Sequence, residues 1–305
     1  MNVKDIALVL LVIVIWGANF TVIKIGLEEI PPVLFSALRF AIVAIPAVFF
    51  IPFPKTSIWN VLGVGIFLGV IKFSLLFISM DVGVGAGLAS LLLQAQVVFT
   101  IVLSVIIFKE EIKKNQFVGI VIAVLGFSMF FFSKEASLTI LGLILILFAA
   151  LFWTISNLIM KKMKNVDLLH FMVWVSLVPP LPLAILSYFM ETNDPLSLLL
   201  DTSMQLWLAV LYTGFISTLL AFAIWGYLLK TYTAATVTPF ALLIPVVGMF
   251  VSSVFLNEKL GLIEIIGSTT VMLGLIVCVL GNRLIKYFKV PNENENENEN
   301  LIKNS

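Results

Sequence analysis

Charge is scarce in this chain. Of its 305 residues only 11% are Asp, Glu, Lys or Arg, while 61% are hydrophobic and the mean hydropathy is +1.15. A soluble domain carries roughly a quarter charged residues, so a water-soluble fold of this length is excluded. The net charge is +1 and the basic residues are scattered through short loops, which excludes the basic patch that a nucleic-acid partner requires. The single cysteine, Cys278, rules out a disulfide framework and any multi-cysteine metal site. Lying in an apolar run, it reads as a small buried side chain. There is no phosphate-cradling P-loop, no His/Glu metal-ligand spacing and no nucleophile elbow. Neither ATP hydrolysis nor an intramembrane enzyme is therefore expected, and no cofactor is called for. No carboxylate lies at mid-depth in an apolar run either. Coupling by facilitated exit, by exchange, or by proton use through Lys72 or His170 (the only histidine) stays open.

What the chain does contain is repetition. Residues 86–127, AGLASLLLQAQVVFTIVLSVIIFKEEIKKNQFVGIVIAVLGF, form an apolar run, a short charged bend and a second apolar run. Moved forward by 148 positions, they lie without a gap on 234–275. Ala86 then falls on Ala234, Ser104 on Ser252, Glu110 on Glu258, Gly119 on Gly267 and Gly126 on Gly274. Glutamate and glycine are rare in such runs, so these matches mark an internal duplication. A second echo is the eight-residue spacing of Trp16 to Lys24 and of Trp153 to Lys161.

Spans of about 20 mostly apolar residues are predicted at 6–26, 33–52, 58–80, 87–108, 116–132, 138–160, 168–190, 205–229, 234–256 and 261–281. The first exceeds the ~7–15-residue core of a signal peptide and no small-residue cleavage site follows, so it is expected to be retained. With the N-terminus in the cytoplasm, inside segments hold thirteen Lys and Arg, and outside loops hold only Lys134 and Lys259. Both termini are expected to be cytoplasmic. Five spans per half is an odd number, so the halves, 1–136 and 137–290, face opposite ways across the membrane. The bend at 109–115 is then inside and its mate at 257–260 outside. The expected architecture is an all-α, multi-pass protein of the cell (inner) membrane, with ten transmembrane helices in two inverted five-helix repeats. Such repeats with a site at their interface near the midplane are a transporter architecture. The tail 291–305, PNENENENENLIKNS, cannot bury enough apolar area to offset chain entropy and is expected to be disordered. The partners expected are a small-molecule substrate and the lipid bilayer; the oligomeric state, a homodimer included, is left open.

WGANFTVIKIGLEEIPPVLFSALRF at 16–40 and GLASLLLQAQVVFTIVL at 87–103 resemble the EamA-type family of the drug/metabolite transporter superfamily. More narrowly, they resemble its bacterial exporters of O-acetylserine, cysteine and related amino-acid metabolites. The resemblance runs from about residue 3 to 290. It implies a ten-helix inverted-repeat fold, two EamA units and efflux of small metabolites.

The polar residues inside spans carry the site expectation. Lys72 sits near the middle of the third span, where a cation costs roughly 2.5–3.5 kcal/mol, with no acid at its depth. Either it faces a polar cavity and meets the carboxylate of a zwitterionic substrate, or backbone carbonyls solvate it, or it is deprotonated. Asn19, Gln94, Gln96 and Asn157 are amides that lipid cannot satisfy, so they line the pathway or bond other helices. Gln94 and Gln96 are two apart on a helix, so only one is expected to point at a given cavity. Trp16 and Trp153 are candidate walls. Trp174 and Trp225 are also deep, whereas Trp59 and Trp207 at span starts read as interfacial belt. The substrate-binding set is Trp16, Asn19, Lys72, Gln94, Gln96, Trp153 and Asn157. Arg39, about six residues into its span, is read first as pairing with Glu28 or Glu29 or capping carbonyls, and only then as touching substrate. Lys24 and Lys161 are expected to snorkel. Pro179, Pro180 and Pro182 are expected to break the seventh span. Pro239 and Pro245 should break the ninth, unlike its fourth-span mate with Leu91 and Val97. Gly65 and Gly69 should allow close helix approach. The function expected is alternating-access export of small polar, cysteine- or O-acetylserine-like metabolites. The alternative is a broad drug exporter or an importer of a cofactor-like metabolite.

Overall fold

A computed structural model describes residues 1–133, 138–163 and 165–288. Side chains of 234, 235 and 282–288 are outside that description. The tail expectation and Lys134, Lys164, Lys289 and Lys303 also lie outside the described residues. Among the described residues the chain is all-helical, with nine helices long and apolar enough to cross a membrane and one shorter apolar helix. In chain order these are α1 (Val3–Gly26), α2 (Pro32–Ala47), α3 (Ile58–Asp81), α4 (Ala86–Phe108), α5 (Lys114–Phe132), α6 (Ile140–Lys161), α7 (Leu168–Met190), α8 (Met204–Thr231), α9 (Thr238–Phe255) and α10 (Leu262–Gly281, in a helix running on to Phe288).

The short one is α2. Its apolar run predicts 33–52, but the helix ends at Ala47, with Pro46 inside its last turn and Pro52 and Pro54 beyond. Proline withholds a backbone donor and ends helices. Sixteen residues rise only about 24 Å against a hydrocarbon core of about 30 Å.

Few of the long helices are regular. α3 is π-helical over Gly65–Lys72 and α8 over Tyr212–Leu220. α7 is interrupted between Ser176 and Pro180, where the prolines predict it. α9 opens with a tight 3-10 stretch, Thr238–Leu243, ahead of Ile244. The expectation that α4 runs unbroken is corrected. One helical piece ends at Leu92 and the next starts at Ala95, joined by bonds from Gln94 N–H to Leu91 (2.9 Å) and Val97 N–H to Gln94 (2.9 Å). No proline is involved. Residues 86–92 are all buried, so packing on every side dictates the backbone there. The break at 93–94 lies 148 positions before 241–242 in the irregular part of α9.

Glycines set the packing. A Cβ on Gly65 would lie 2.5 Å from Val178, and one on Gly69 would collide with the Pro179 ring. The π segment of α3 therefore rests on the break in α7. α1 packs against α4, α8 and α9, with Gly17 against Val247. α5 and α10 pair antiparallel: Gly119 sits under the Gly274 carbonyl and Gly126 under that of Gly267. The contact is reciprocal in the repeat, since Gly267 and Gly274 are the mates of Gly119 and Gly126.

Candidate functional site

The irregular stretches of α3, α4, α8 and α9 surround one cavity of about 670 Å³. Broken helices release backbone groups, which membrane proteins tolerate only where protein or a wet cavity satisfies them. All seven residues singled out in the sequence line this cavity: Trp16, Asn19, Lys72, Gln94, Gln96, Trp153 and Asn157. Both glutamines do so, contrary to the expectation from helical spacing. Gln96 Oε1 accepts from Asn157 Nδ2 at 2.9 Å, and Gln94 Nε2 donates to the Ala241 carbonyl at 3.4 Å. Asn19 is 8% exposed and its Oδ1 has no partner among the described residues. That buried acceptor is open to a ligand donor.

Lys72 is buried among aromatics. Its Nζ lies 3.4 Å from the Phe73 ring centroid and 4.9 Å from that of Trp153. It has no hydrogen-bond or ion-pair partner among the described residues, so the carbonyl-solvated alternative is not what this conformation displays. Trp16 donates from Nε1 to the Ser217 carbonyl at 3.0 Å and packs on Phe222 and Trp225 at centroid distances of 5.3 and 5.2 Å. Trp225 therefore belongs to the wall. Trp174 does not, because it donates to the Ile51 carbonyl and packs on Phe53. Trp59 is 76% exposed, as an interfacial residue should be.

Arg39 also lines the cavity. It pairs with neither Glu28 nor Glu29. Its Nη2 donates to the Thr213 carbonyl (3.3 Å) and Thr218 Oγ1 (3.1 Å), as the capping reading anticipated. Its Nε and Nη1, however, are buried without partners, and its Cζ stands 4.2 Å from the same Phe73 ring that Lys72 contacts. Among the described residues, no Asp or Glu lines the cavity beside these two basic side chains.

Among the described residues, the lining of the cavity extends toward one end of the bundle, to Gln116, Leu168 and Cys278, and Thr100, Ile101 and Gln116 also line a recess of about 440 Å³ beside Glu110 and Lys161. Lys161 bonds Glu110 at 2.7 Å and Ser104 Oγ at 3.2 Å. Lys24 donates to the Met80 carbonyl, in the last turn of α3.

At the opposite end, carboxylates sit on helix starts. Glu258 accepts from the Ala86 and Gly87 N–H groups (2.7 and 3.0 Å), and Glu191 from those of Val33 and Leu34 (2.8 and 3.0 Å). Glu29 takes the N–H and hydroxyl of Ser203, which hold its carboxyl below its ordinary value. Anions are favoured there because a helix start presents unpaired donors and a positive dipole end.

A model of the EamA-like transporter family matches residues 3–132 and again 140–280. The chain belongs to the EamA-like transporter family. A relative from Salmonella typhimurium (strain LT2), named "Probable amino-acid metabolite efflux pump", is 39% identical over 93% of this chain and 97% of its own. A protein of the same name from Escherichia coli (strain K12) is 36% identical over 95% and 99%. A solved chain described as "Crystal structure of protein" shares the fold at a TM-score of 0.62 and 17% identity, covering 93% of this chain and 99% of that one. This EamA-family chain is thus a multi-pass membrane protein, and its relatives' names point to a transporter rather than an enzyme.

Proposed function

We propose that this chain exports small polar amino-acid metabolites, of the cysteine or O-acetylserine kind, by alternating between states open to opposite sides of the membrane. The observation that carries the reading is the buried cavity at broken helices with an unpaired lysine, a half-paired arginine and a ring of amides and tryptophans. Lys72 meets the cargo's carboxylate, Asn19, Gln94, Gln96 and Asn157 supply amides, and Trp16 and Trp153 form walls. The relatives named as probable amino-acid metabolite efflux pumps support the broader class of amino-acid metabolites. Broad export of cationic drugs is disfavoured, since like charges repel strongly at low dielectric.

The scaffold belongs to the same proposal: ten spans in two inverted five-helix units, 1–136 and 137–290, with both termini in the cytoplasm. Support comes from the two family matches and from the reciprocal glycine contacts. If residue i touches the mate of j while j touches the mate of i, a two-fold axis relates the two segments. Because α5 and α10 run antiparallel, that axis lies across the helices, in the membrane plane. The end toward which the cavity's lining runs, near 109–116, is then cytoplasmic, as cargo loading for export requires.

The test is export from cells producing wild-type protein or Lys72→Met. Metabolite profiling of the medium should detect the cargo with wild type and lose at least about tenfold of it with K72M at equal membrane abundance. Unchanged efflux of every metabolite in K72M cells sinks the assignment.

A further inference from the structure

We infer that the aromatic wall of Trp16, Phe222 and Trp225, with the open amide oxygen of Asn19, is the subsite for the cargo's ammonium group. This rests on the export reading above, in which Lys72 meets the carboxylate, and it assigns the zwitterion's other pole.

The two halves echo each other here and differ in one respect. Trp153 is the counterpart of Trp16, each standing eight residues before a lysine. Trp153 already has an amine beside it, since Lys72 Nζ lies 4.9 Å from its ring centroid. Trp16 is held by the π stretch of α8, through the Ser217 carbonyl, and packs on Phe222 and Trp225. That stretch, YTGFISTLL, contains no lysine or arginine, whereas its counterpart in α3 ends at Lys72. The cavity's other basic residue, Arg39, sits over Phe40 and Phe73, at 4.9 and 4.2 Å. Among the described residues, then, both basic side chains of the cavity are taken up by other rings. Aromatic faces carry the negative side of the ring quadrupole and attract cations. The wall around Trp16 is the one left for a cation brought by the cargo.

Asn19 lies one turn from Trp16 on the same side of α1. Its Oδ1 is buried without a partner, and an acceptor left in that state costs free energy that an N–H donor removes. An amide oxygen accepts and cannot donate, so it suits an ammonium and not a carboxylate. No Asp or Glu among the described residues lines the cavity, so ring faces and neutral oxygens are what an ammonium meets there.

Two ligand pairs isolate the group. O-acetyl-L-serine and 3-acetoxypropanoate differ only in the amino group, as do L-cysteine and 3-mercaptopropanoate. Each is titrated by calorimetry into purified full-length protein in lipid nanodiscs, at mildly acidic pH where the acetyl group stays on oxygen and the amine is protonated. Wild type should bind the amino member at least about tenfold more tightly. Asn19→Leu and Trp16→Leu should each cut that ratio at least about threefold, while Trp16→Phe, which keeps a ring face, should hold it nearer wild type. Asn19→Asp should widen the ratio, because a carboxylate attracts the ammonium and repels the acid that lacks one. A residue with a packing role alone would not produce that gain.

A wild-type ratio near one in whichever pair binds overturns the inference, as does binding of neither pair. So does a ratio that Asn19→Leu and Trp16→Leu leave unchanged, or that Asn19→Asp narrows. Should W16L fail to fold, the two Asn19 variants still decide. A ratio near one together with K72M-sensitive export would sink the ammonium subsite alone; K72M-insensitive export would sink the export reading itself.

Discussion

Arg39 is the eighth of sixteen residues in α2, which puts its guanidinium at mid-bundle. Read against a span of 33–52 it seemed a third of the way in, near acids in the outer loop. Its type and its place in a family motif were legible, but its depth was not, because depth depends on where the helix stops. Lys72, Asn19, Trp16 and Trp153 were legible for the converse reason: polar or large groups far from either end of a long apolar run must find company inside the bundle. Titration can be predicted where side chains leave the membrane. Asp167 caps α7 and meets Lys230 at 2.6 Å, and that bond, with the His170 N–H, holds its carboxyl below the ordinary 3.8. A lowered carboxylate adds stability that is present above 3.8 and is lost as pH falls through the depressed value. Asp167→Asn keeps the cap but not the charge, so in detergent it should melt below wild type at neutral pH. The gap should close under strong acid, and one that persists there would refute the ion-pair account.

Among the elements, breaks matter more than lengths. The prolines of α7 and α9 announced theirs, and the break in α4 had no herald. It follows a piece, Ala86–Leu92, that is buried on all sides, and Gln94 and Gln96 beside it both line the cavity. The π segment of α3 is seated on the α7 break through glycine. Gly69→Ala drives a methyl into Pro179 and should cost about 1–3 kcal/mol, read as a lowered midpoint of thermal unfolding in detergent. Gly226→Ala, whose Cβ would meet Leu168 at an ordinary 3.5 Å, should melt like wild type. Equal midpoints for the two variants would remove the seating argument.

For the whole molecule, the two ends differ in how they are held. At one end Glu29, Glu191 and Glu258 cap the starts of α8, α2 and α4, and at the other a recess lies beside Glu110, the repeat mate of Glu258. Alternating access predicts that Glu258→Gln, which keeps one acceptor but not the charge, loosens the capped end. A cysteine placed at Ser90 should then react faster with a membrane-impermeant thiol reagent added from outside, and an unchanged rate would count against that end being a gate. Topology has its own check. Reporter fusions should place 109–115 inside and 257–260 outside, and finding both on one side would end the inverted-repeat proposal.

The sequence by itself determined the solvent, the approximate spans, the duplication, the family and most of the polar side chains at the site. Each follows from composition or from a period along one chain. Only the tertiary structure decided that Arg39 joins Lys72 at one ring, that both glutamines reach one cavity, and that the lining of the cavity runs toward the end near Gln116. Those outcomes depend on where helices stop and bend, which is set by neighbours distant in sequence packing against them.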